Sequence, residues 1–217
     1  MGTKRGFFIA FDGLDGCGKS TQAKLLASYL VENSYSKDVV LTFEPGGSPI
    51  GKIIRQITLY SDLPINMTTE LLLMLAERSE HISTVISPSL VDGKIVICDR
   101  FSESTIVYQG VMGGIDLQLV AMLDNVARKS IWPDMYIYLD IPEEVAWQRA
   151  LQRSNQTVAA SKYDVTDISF FKGVRDAFIN EWKNHHRPLL IVDGTGSIEE
   201  VHKRIVKKFL GKFYGTN

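Results

Sequence analysis

The chain has 217 residues, of which 45% are apolar and 23% are charged, a composition that suits one domain with a substantial core. Its 24 Lys and Arg residues are balanced by 25 Asp and Glu residues. The chain therefore lacks the net basic excess that neutralising a nucleic-acid backbone usually needs, and we expect no nucleic-acid partner. Any anion site must be local.

The sequence also favours a reduced, cytoplasmic protein without a membrane partner. No apolar run approaches the ~20 residues that cross a bilayer. The apolar stretch behind Met1–Arg5 runs straight into Asp12, unlike the apolar region of a signal peptide. Cys17 and Cys98 are the only cysteines, too few for a disulfide framework, and cytosolic thiols normally stay reduced.

Strand and helix patterns alternate along the chain. Five short runs rich in β-branched and aromatic residues, without polar alternation, predict strands buried on both faces at 7–11, 39–42, 95–98, 135–139 and 189–192. Helical patterns lie between and after them at 23–31, 50–59, 68–87, 115–130, 143–153, 168–184 and 198–210. This order predicts an α/β three-layer sandwich with a five-stranded parallel sheet, in a single domain spanning 1–217. Ser197 and Glu200 form a predicted capping box for the last helix.

A glycine-rich motif directly follows the first predicted strand. It reads Gly-Leu-Asp-Gly-Cys-Gly-Lys-Ser and fits the pattern G-x-x-x-x-G-K-[ST], with a helix after it. The glycines let backbone N–H groups turn towards phosphate oxygens, and the helix dipole adds to that field. The motif predicts an ATP phosphate site in which Lys19 reaches the β and γ phosphates. The predicted contacts are Gly13, Asp15, Gly16, Cys17, Gly18, Lys19, Ser20 and Thr21.

Two oxygen-bearing side chains are candidates for holding Mg²⁺. The hydroxyl of Ser20 is the usual metal contact of this motif, and Asp99 ends the apolar run 95–98, where such folds place a second metal-orienting carboxylate. An acidic residue after a strand also favours turns and helix starts. Asp99 by itself would therefore not predict a metal site.

A P-loop does not by itself distinguish a kinase from a GTPase switch. Residues 161–164, Ser-Lys-Tyr-Asp, look like the guanine-reading [NT]KxD motif, but they follow a polar loop and begin with Ser. Residues 193–196, Asp-Gly-Thr-Gly, match DxxG but come after that element, which reverses the GTPase order. The patterns argue against a GTPase-like switch, which stays an alternative.

Four further segments occur in the order and approximate spacing seen in thymidylate kinases. They are Glu44-Pro-Gly-Gly47, Ala76-Glu-Arg78, Asp99-Arg-Phe101 with Ser104, and Tyr108-Gln-Gly110. From residue 7 to about 206 the chain resembles the bacterial type of that family. The resemblance implies the P-loop nucleoside monophosphate kinase fold, a homodimer, a LID at about 149–164, and transfer of the γ-phosphoryl group of ATP to dTMP, a step towards dTTP.

The resemblance also implies roles for individual residues. Gln109 would read thymine, because its amide both donates and accepts hydrogen bonds, and Arg78 would contact the base. Arg100 would bind the dTMP phosphate with its planar fork, Arg55 would be a second phosphate contact, and Asp15 would meet the 3′-hydroxyl. The other implied contacts are Ser104, Tyr108, Phe43 and Glu44 with dTMP, Met74 where many members have an aromatic that stacks on thymine, and Gly194 and Thr195 near adenine.

Catalysis of phosphoryl transfer depends on alignment and on neutralising charge. Lys19 and Arg100 would supply part of the positive charge. The family carries a catalytic arginine in the P-loop or in the LID, and the variable P-loop positions here contain none. Arg149 and Arg153 are four residues apart on a predicted helix and share a face. We therefore predict Arg153 first, and Arg149 second, as the catalytic arginine.

Besides the GTPase-like switch, two further functions stay open. A deoxynucleoside kinase would need a base beside a sugar hydroxyl, and Glu44 could serve. A P-loop nucleotide-binding regulator would need neither Arg100 nor Gln109. The thymidylate-kinase contexts of those two residues favour the kinase that acts on a monophosphate.

Overall fold

A computed structural model of the chain describes residues 5–35, 38–156, 161–163, 166–183 and 187–213. Its strands form a five-stranded, all-parallel sheet in the order β2-β3-β1-β4-β5. The predicted sheet is thus confirmed. The strands are β1 (Phe7–Gly13), β2 (Val39–Phe43), β3 (Ile95–Asp99), β4 (Met135–Asp140) and β5 (Leu189–Asp193).

Helices connect these strands and follow the last one. The α-helices of the described residues are α1 (Lys19–Glu32), α2 (Pro49–Arg55), α3 (Met67–His81), α4 (Ser87–Val91), α5 (Ser102–Thr105), α6 (Leu117–Ala127), α7 (Glu143–Gln156), α8 (Ile168–Lys183) and α9 (Ile198–Phe213). Three π-helical segments, Gln56–Tyr60, Ile82–Ile86 and Ile106–Val111, continue α2, α3 and α5. Such segments are frequent at functional sites.

The strand order explains the three layers. The crossover from β1 to β2 runs in one direction along the sheet, and the crossovers from β2 through β3 and β4 to β5 run in the other. Because parallel crossovers are right-handed, α1 lies on one face while α3, α6 and α8 lie on the opposite face. In agreement, α1 packs against α9, and α3 packs against α2 and α6.

The three central strands are buried along nearly their whole length, whereas the edge strands β2 and β5 include exposed residues. Phe8, Ile9, Ala10 and Phe11 have no exposed surface. Helices cover both faces of these strands, which is why their sequences lack polar alternation. Since all strands are parallel, their carboxyl ends meet at one edge of the sheet, where ligands bind in folds of this kind.

The helix predictions hold less closely than the strand predictions. The pattern at 50–59 becomes α2 and a π-helical segment, and the pattern at 68–87 continues to the end of α4. The stretch 102–111 is helical although no helix is predicted there.

The predicted capping box of the last helix is confirmed, because the Ser197 N–H donates to Glu200 Oε2 at 2.8 Å and the Glu200 N–H donates to Ser197 Oγ at 3.2 Å.

Both cysteines are free and buried. Among the described residues, no helix combines the length and apolarity that crossing a bilayer requires.

Candidate active site

A cavity of about 710 Å³ opens at the carboxyl edge of the sheet. P-loop residues line one part of it, and residues that follow β2 and β3, together with α3 and the π-helical segment Ile106–Val111, line another. Most of the predicted site residues therefore face one space. They are Asp15, Gly16, Gly18, Lys19, Ser20, Thr21, Phe43, Glu44, Arg55, Met74, Arg78, Asp99, Arg100, Ser104, Tyr108, Gln109 and Arg153.

The curved backbone of the P-loop requires glycine at two positions. Gly18 has φ +95° and immediately precedes α1, so the free N–H groups of the first helical turn lie at the loop. Gly16 has φ +83°, and a Cβ there would lie 2.5 Å from the carbonyl oxygen of Ala146. The ammonium group of Lys19 donates to the carbonyls of Gly13 at 3.0 Å and Leu14 at 2.7 Å.

Ser20 and Asp99, the two candidate metal contacts, lie next to each other. The Ser20 hydroxyl donates to Asp99 Oδ2. The other carboxylate oxygen, Oδ1, is buried and has no hydrogen-bond partner in the part of the chain that the structure describes. Mg²⁺ takes oxygen ligands and usually keeps several waters. An unsatisfied carboxylate oxygen beside a hydroxyl therefore fits a magnesium site.

Arg100 is the centre of a charged cluster in the cavity. Its guanidinium donates to Asp15 at 2.7 Å and to Ser104 at 2.9 Å, and lies 5.1 Å from the Tyr108 ring centroid. Burial raises the pKa of Asp15, but the charges of Arg100 and Lys19 outweigh it, so the pKa lies below its ordinary value. Asp15 thus stays ionised and orients the guanidinium.

The backbone of Arg100 is strained. Its φ is +73°, in the left-handed region that side chains other than glycine seldom adopt, and such a conformation costs on the order of 1–3 kcal/mol. The backbone N–H donates to the Phe11 carbonyl at 2.8 Å. Strain of this kind clusters at functional sites, and here it directs the side chain into the cavity.

The fully buried carboxyl group of Asp12 holds Ser104 in position. Its hydroxyl donates to Asp12 Oδ1 at 2.6 Å. Burial raises the pKa of Asp12 to about 7, against a lowering by the Ser104 hydrogen bond. The contact leaves the Ser104 oxygen able to accept from Arg100.

Arg78 is buried in a polar network at the wall of the cavity. It donates from Nε to Glu44 at 2.8 Å, from Nη1 to Asp124 at 2.6 Å and from Nη2 to Thr105 at 3.0 Å. Phe101 packs against the guanidinium at 5.1 Å. Arg78 is on α3, and its three hydrogen-bond partners lie in the loop after β2, in α6 and in α5. This arginine therefore ties four parts of the chain together and has little freedom to move.

Glu44 is fully engaged in the same network. One oxygen accepts from Arg78, and the other contacts His81 Nδ1 at 2.9 Å, while His81 Nε2 contacts Thr42 Oγ1 at 2.7 Å. Cys98 completes a group whose donor atoms lie within 4.8 Å of one another. Because the Arg78 cation lies beside it and both ring nitrogens are bonded, we interpret the group as a hydrogen-bonded network. Glu44 is not placed as a free base for a sugar hydroxyl.

The sequence model of the thymidylate kinase family matches residues 11–205. The chain belongs to this family. A thymidylate kinase of Geotalea daltonii is 38% identical and covers 97% of this chain and 100% of its own length, and one of Kosmotoga olearia is 36% identical, covering 94% and 95%. The crystal structure of thymidylate kinase from Ehrlichia chaffeensis has a TM-score of 0.75 and 33% identity, covering 94% of this chain and 99% of that one. The predicted kinase fold is confirmed.

Met74, at the position where the family resemblance implies an aromatic, lines the cavity. Phe43 also lines the cavity, with 42% of its surface exposed. Its ring and that of Tyr60 flank the Arg55 guanidinium, at 5.5 and 5.6 Å. Arg55 also donates to the Pro45 carbonyl at 2.7 Å, so these rings hold it at the cavity.

The two predicted LID arginines lie on α7 in different positions. Arg153 lines the cavity, and its charge contributes to lowering the pKa of Asp15. Arg149 Nη1 donates to the Gly16 carbonyl at 3.4 Å, beside the P-loop. Part of the predicted LID, 157–160 and 164, lies outside the described residues. The catalytic role of either arginine stays a prediction.

The predicted adenine contacts lie beside the P-loop and do not line the cavity. A Cβ on Gly194 would be 3.6 Å from the Cys17 carbonyl oxygen, and Cys17 itself is buried. Thr195 donates its hydroxyl to Asp193 at 2.7 Å. Gly194 and Thr195 thus follow β5 at the same edge as the phosphate loop.

Sequence reasoning missed Glu70, a residue of α3 that is 1% exposed. Its carboxylate accepts from Gln109 Nε2 at 2.9 Å and from the Tyr163 hydroxyl, and it forms an ion pair with Lys162. A glutamate on a helix is usually exposed, and its spacing in the sequence gives no sign of these partners.

Proposed function

We propose that the chain transfers the γ-phosphoryl group of ATP to dTMP, giving dTDP and ADP. The observation that supports this most directly is the continuity of the cavity. Its P-loop part carries Lys19, and its other part carries Arg100, Arg78 and Gln109. A triphosphate and a nucleoside monophosphate can therefore meet within one space, as in-line transfer requires.

The residues act by orienting phosphates and offsetting charge. Lys19 would bind the β and γ phosphates, and Arg100 the acceptor phosphate, with Asp15 holding its guanidinium in place. A phosphate monoester has a second pKa of about 6 and is mostly dianionic at neutral pH. No general base is needed, which agrees with the engaged state of Glu44. Arg153 would neutralise charge on the transferred group.

We also propose that Ser20 and Asp99 hold the Mg²⁺ that accompanies ATP. The hydroxyl and the carboxylate are adjacent, and Asp99 Oδ1 lacks another partner among the described residues. When bound, the ion offsets negative charge on the β and γ phosphates.

The acceptor preference tests the proposed function. With ATP and Mg²⁺, we expect dTMP to be phosphorylated at least tenfold more efficiently, in kcat/KM, than dCMP, dGMP, dAMP, CMP or thymidine. The reason is that Arg100 would bind the phosphate of the acceptor and Gln109 would form hydrogen bonds with the edge of a thymine-like base. ADP formation with each acceptor is the measurement. Preferential turnover of thymidine would instead support the deoxynucleoside kinase.

We propose that the chain forms a homodimer through an apolar surface on α2, the segment that follows it, and α6. Ile50, Ile53 and Ile57 follow a helical stripe, as do Leu119, Met122 and Val126. All six are between 38% and 71% exposed, and both helices pack against α3. Large exposed apolar patches mark protein interfaces, and a second copy is the occupant implied by the family resemblance.

The double variant Met122→Glu/Val126→Glu is expected to convert the dimer to monomers at micromolar concentration, because four carboxylates would meet across a two-fold interface. Sedimentation velocity measures the change. Ile198→Glu, at an exposed position of α9, is the matched control and should leave the assembly intact. A monomeric wild-type protein would contradict the proposal.

We further propose that the chain works as a single domain in the reducing cytoplasm. The five strands share one sheet, and the free, buried state of both cysteines supports a reducing location.

A further inference from the structure

Glu70 is a buried carboxylate with no part in the phosphoryl transfer described above. It lies on α3, within hydrogen-bond distance of the side chain that would read the base. Lys162 and Tyr163, from the chain between α7 and α8, reach the same carboxylate. The backbone N–H of Lys162 also donates to the Leu59 carbonyl at 3.1 Å. A buried charge needs such partners, and Lys162 supplies the opposite charge.

The chemistry of Glu70 decides how the Gln109 amide is turned. A carboxylate only accepts hydrogen bonds, while an amide has one donating and one accepting end. The NH₂ group of Gln109 must therefore face Glu70, and its oxygen must face away. Tyr163 strengthens this arrangement, because its hydroxyl proton is donated to Glu70 and its ring is held by stacking on Phe170, with centroids 5.7 Å apart.

The direction of the amide matters because pyrimidines differ in the order of donor and acceptor along one edge. Thymine and uracil present an acceptor at O4 and a donor at N3. Cytosine presents a donor at N4 and an acceptor at N3. An amide locked in one orientation can match one of these orders, whereas an amide free to turn by 180° can match both.

We propose that Glu70 is a specificity-determining positioning residue: it locks the Gln109 amide in the orientation that fits thymine and uracil and so excludes cytosine. The proposal rests on the proposed function, in which Gln109 reads the base. It assigns to α3 a role in selecting the substrate through a residue that does not itself line the cavity.

The test is Glu70→Gln, which keeps the shape of the side chain but offers both a donor and an acceptor to Gln109. We expect the ratio of kcat/KM for dTMP to that for dCMP to fall at least tenfold. The ratio for dTMP to dUMP should stay within twofold of wild type, because uracil has the same hydrogen-bonding edge. General damage to the pocket would instead lower kcat/KM for dTMP, dCMP and dUMP alike, and neither ratio would change.

Glu80→Gln is the control. Glu80 is a glutamate on the same helix as Glu70, is half-buried and does not line the cavity. Its substitution should leave the ratio for dTMP to dCMP unchanged. If Glu70→Gln does not fold, Glu70→Met is the second variant. Methionine is uncharged and removes the carboxylate that accepts from Gln109, so we expect the same fall in the ratio of kcat/KM for dTMP to that for dCMP.

A double-mutant cycle with Gln109→Met separates positioning from other effects. Once Gln109 is replaced, Glu70→Gln should not change the ratio for dTMP to dCMP any further. A Glu70→Gln enzyme that prefers dTMP over dCMP as strongly as wild type would overturn the inference and leave the proposed function standing. A wild-type protein that does not phosphorylate dTMP would overturn the proposed function itself.

Discussion

Lys19→Met is expected to lower kcat for dTMP phosphorylation by about 10²–10³-fold, or about 3–4 kcal/mol of barrier, as for the loss of one preorganised charge-stabilising donor. The Lys19 ammonium group is buried in the curve of the P-loop, where it already contacts two carbonyls. A charge held at this point opposes the negative charge of the transferred group without reorganising. Steady-state kinetics with saturating ATP and dTMP measures the loss.

Methionine keeps most of the apolar stem of lysine, so the packing of the loop against α1 should survive. Lys207→Met, at an exposed position of α9, removes one positive charge far from the loop and should leave kcat unchanged. Circular dichroism and dTMP binding check that the Lys19 variant is folded. A kcat within tenfold of wild type would show that Lys19 does not act on the transferred group.

The parts of this enzyme that the sequence predicts are those set by local patterns. The strands are found because β1, β3 and β4 are covered on both faces and need continuous apolar runs. The P-loop is found because Gly16 and Gly18 occupy positive-φ positions that other residues would strain. Because the strands are parallel, the prediction also places Asp99 and Arg100 at the edge where the loop lies.

The polar network around Arg78 cannot be predicted in this way. Arg78 binds Glu44, 34 positions away, and Asp124, 46 positions away. Charged residues on helices are usually exposed, so the sequence gives no reason to bury these three together. These residues come together only because α3 and α6 pack on the same face of the sheet.

The segment that carries Gln109 also cannot be predicted from local patterns. Residues Ser102–Val111 form a short helix and a π-helical segment, and a pattern based on 3.6 residues per turn does not detect a wider turn. The family resemblance supplied Tyr108 and Gln109, but not the partner of Gln109. Glu70 was recognised only from the fold.

Arg153→Ala is expected to lower kcat at least tenfold, or ~1.4 kcal/mol of barrier, while leaving dTMP affinity nearly unchanged. Of the two α7 arginines, Arg153 is the one that lines the cavity, and its charge reaches Asp15 of the P-loop. An interaction that strengthens as charge spreads over the transferred group lowers the barrier without tightening substrate binding. Pre-steady-state and steady-state kinetics, with dTMP binding measured separately, distinguish the two effects.

Gln152→Ala is the matched control, because Gln152 is an exposed neighbour on the same helix and carries no charge. It should leave kcat unchanged. Arg149→Ala should have the smaller effect of the two arginine variants, since Arg149 contacts the Gly16 carbonyl and does not line the cavity. If Arg149→Ala alone lowers kcat, the roles are reversed. If neither variant does, the charge on the transferred group is offset by Lys19, Arg100 and the metal ion without an α7 arginine.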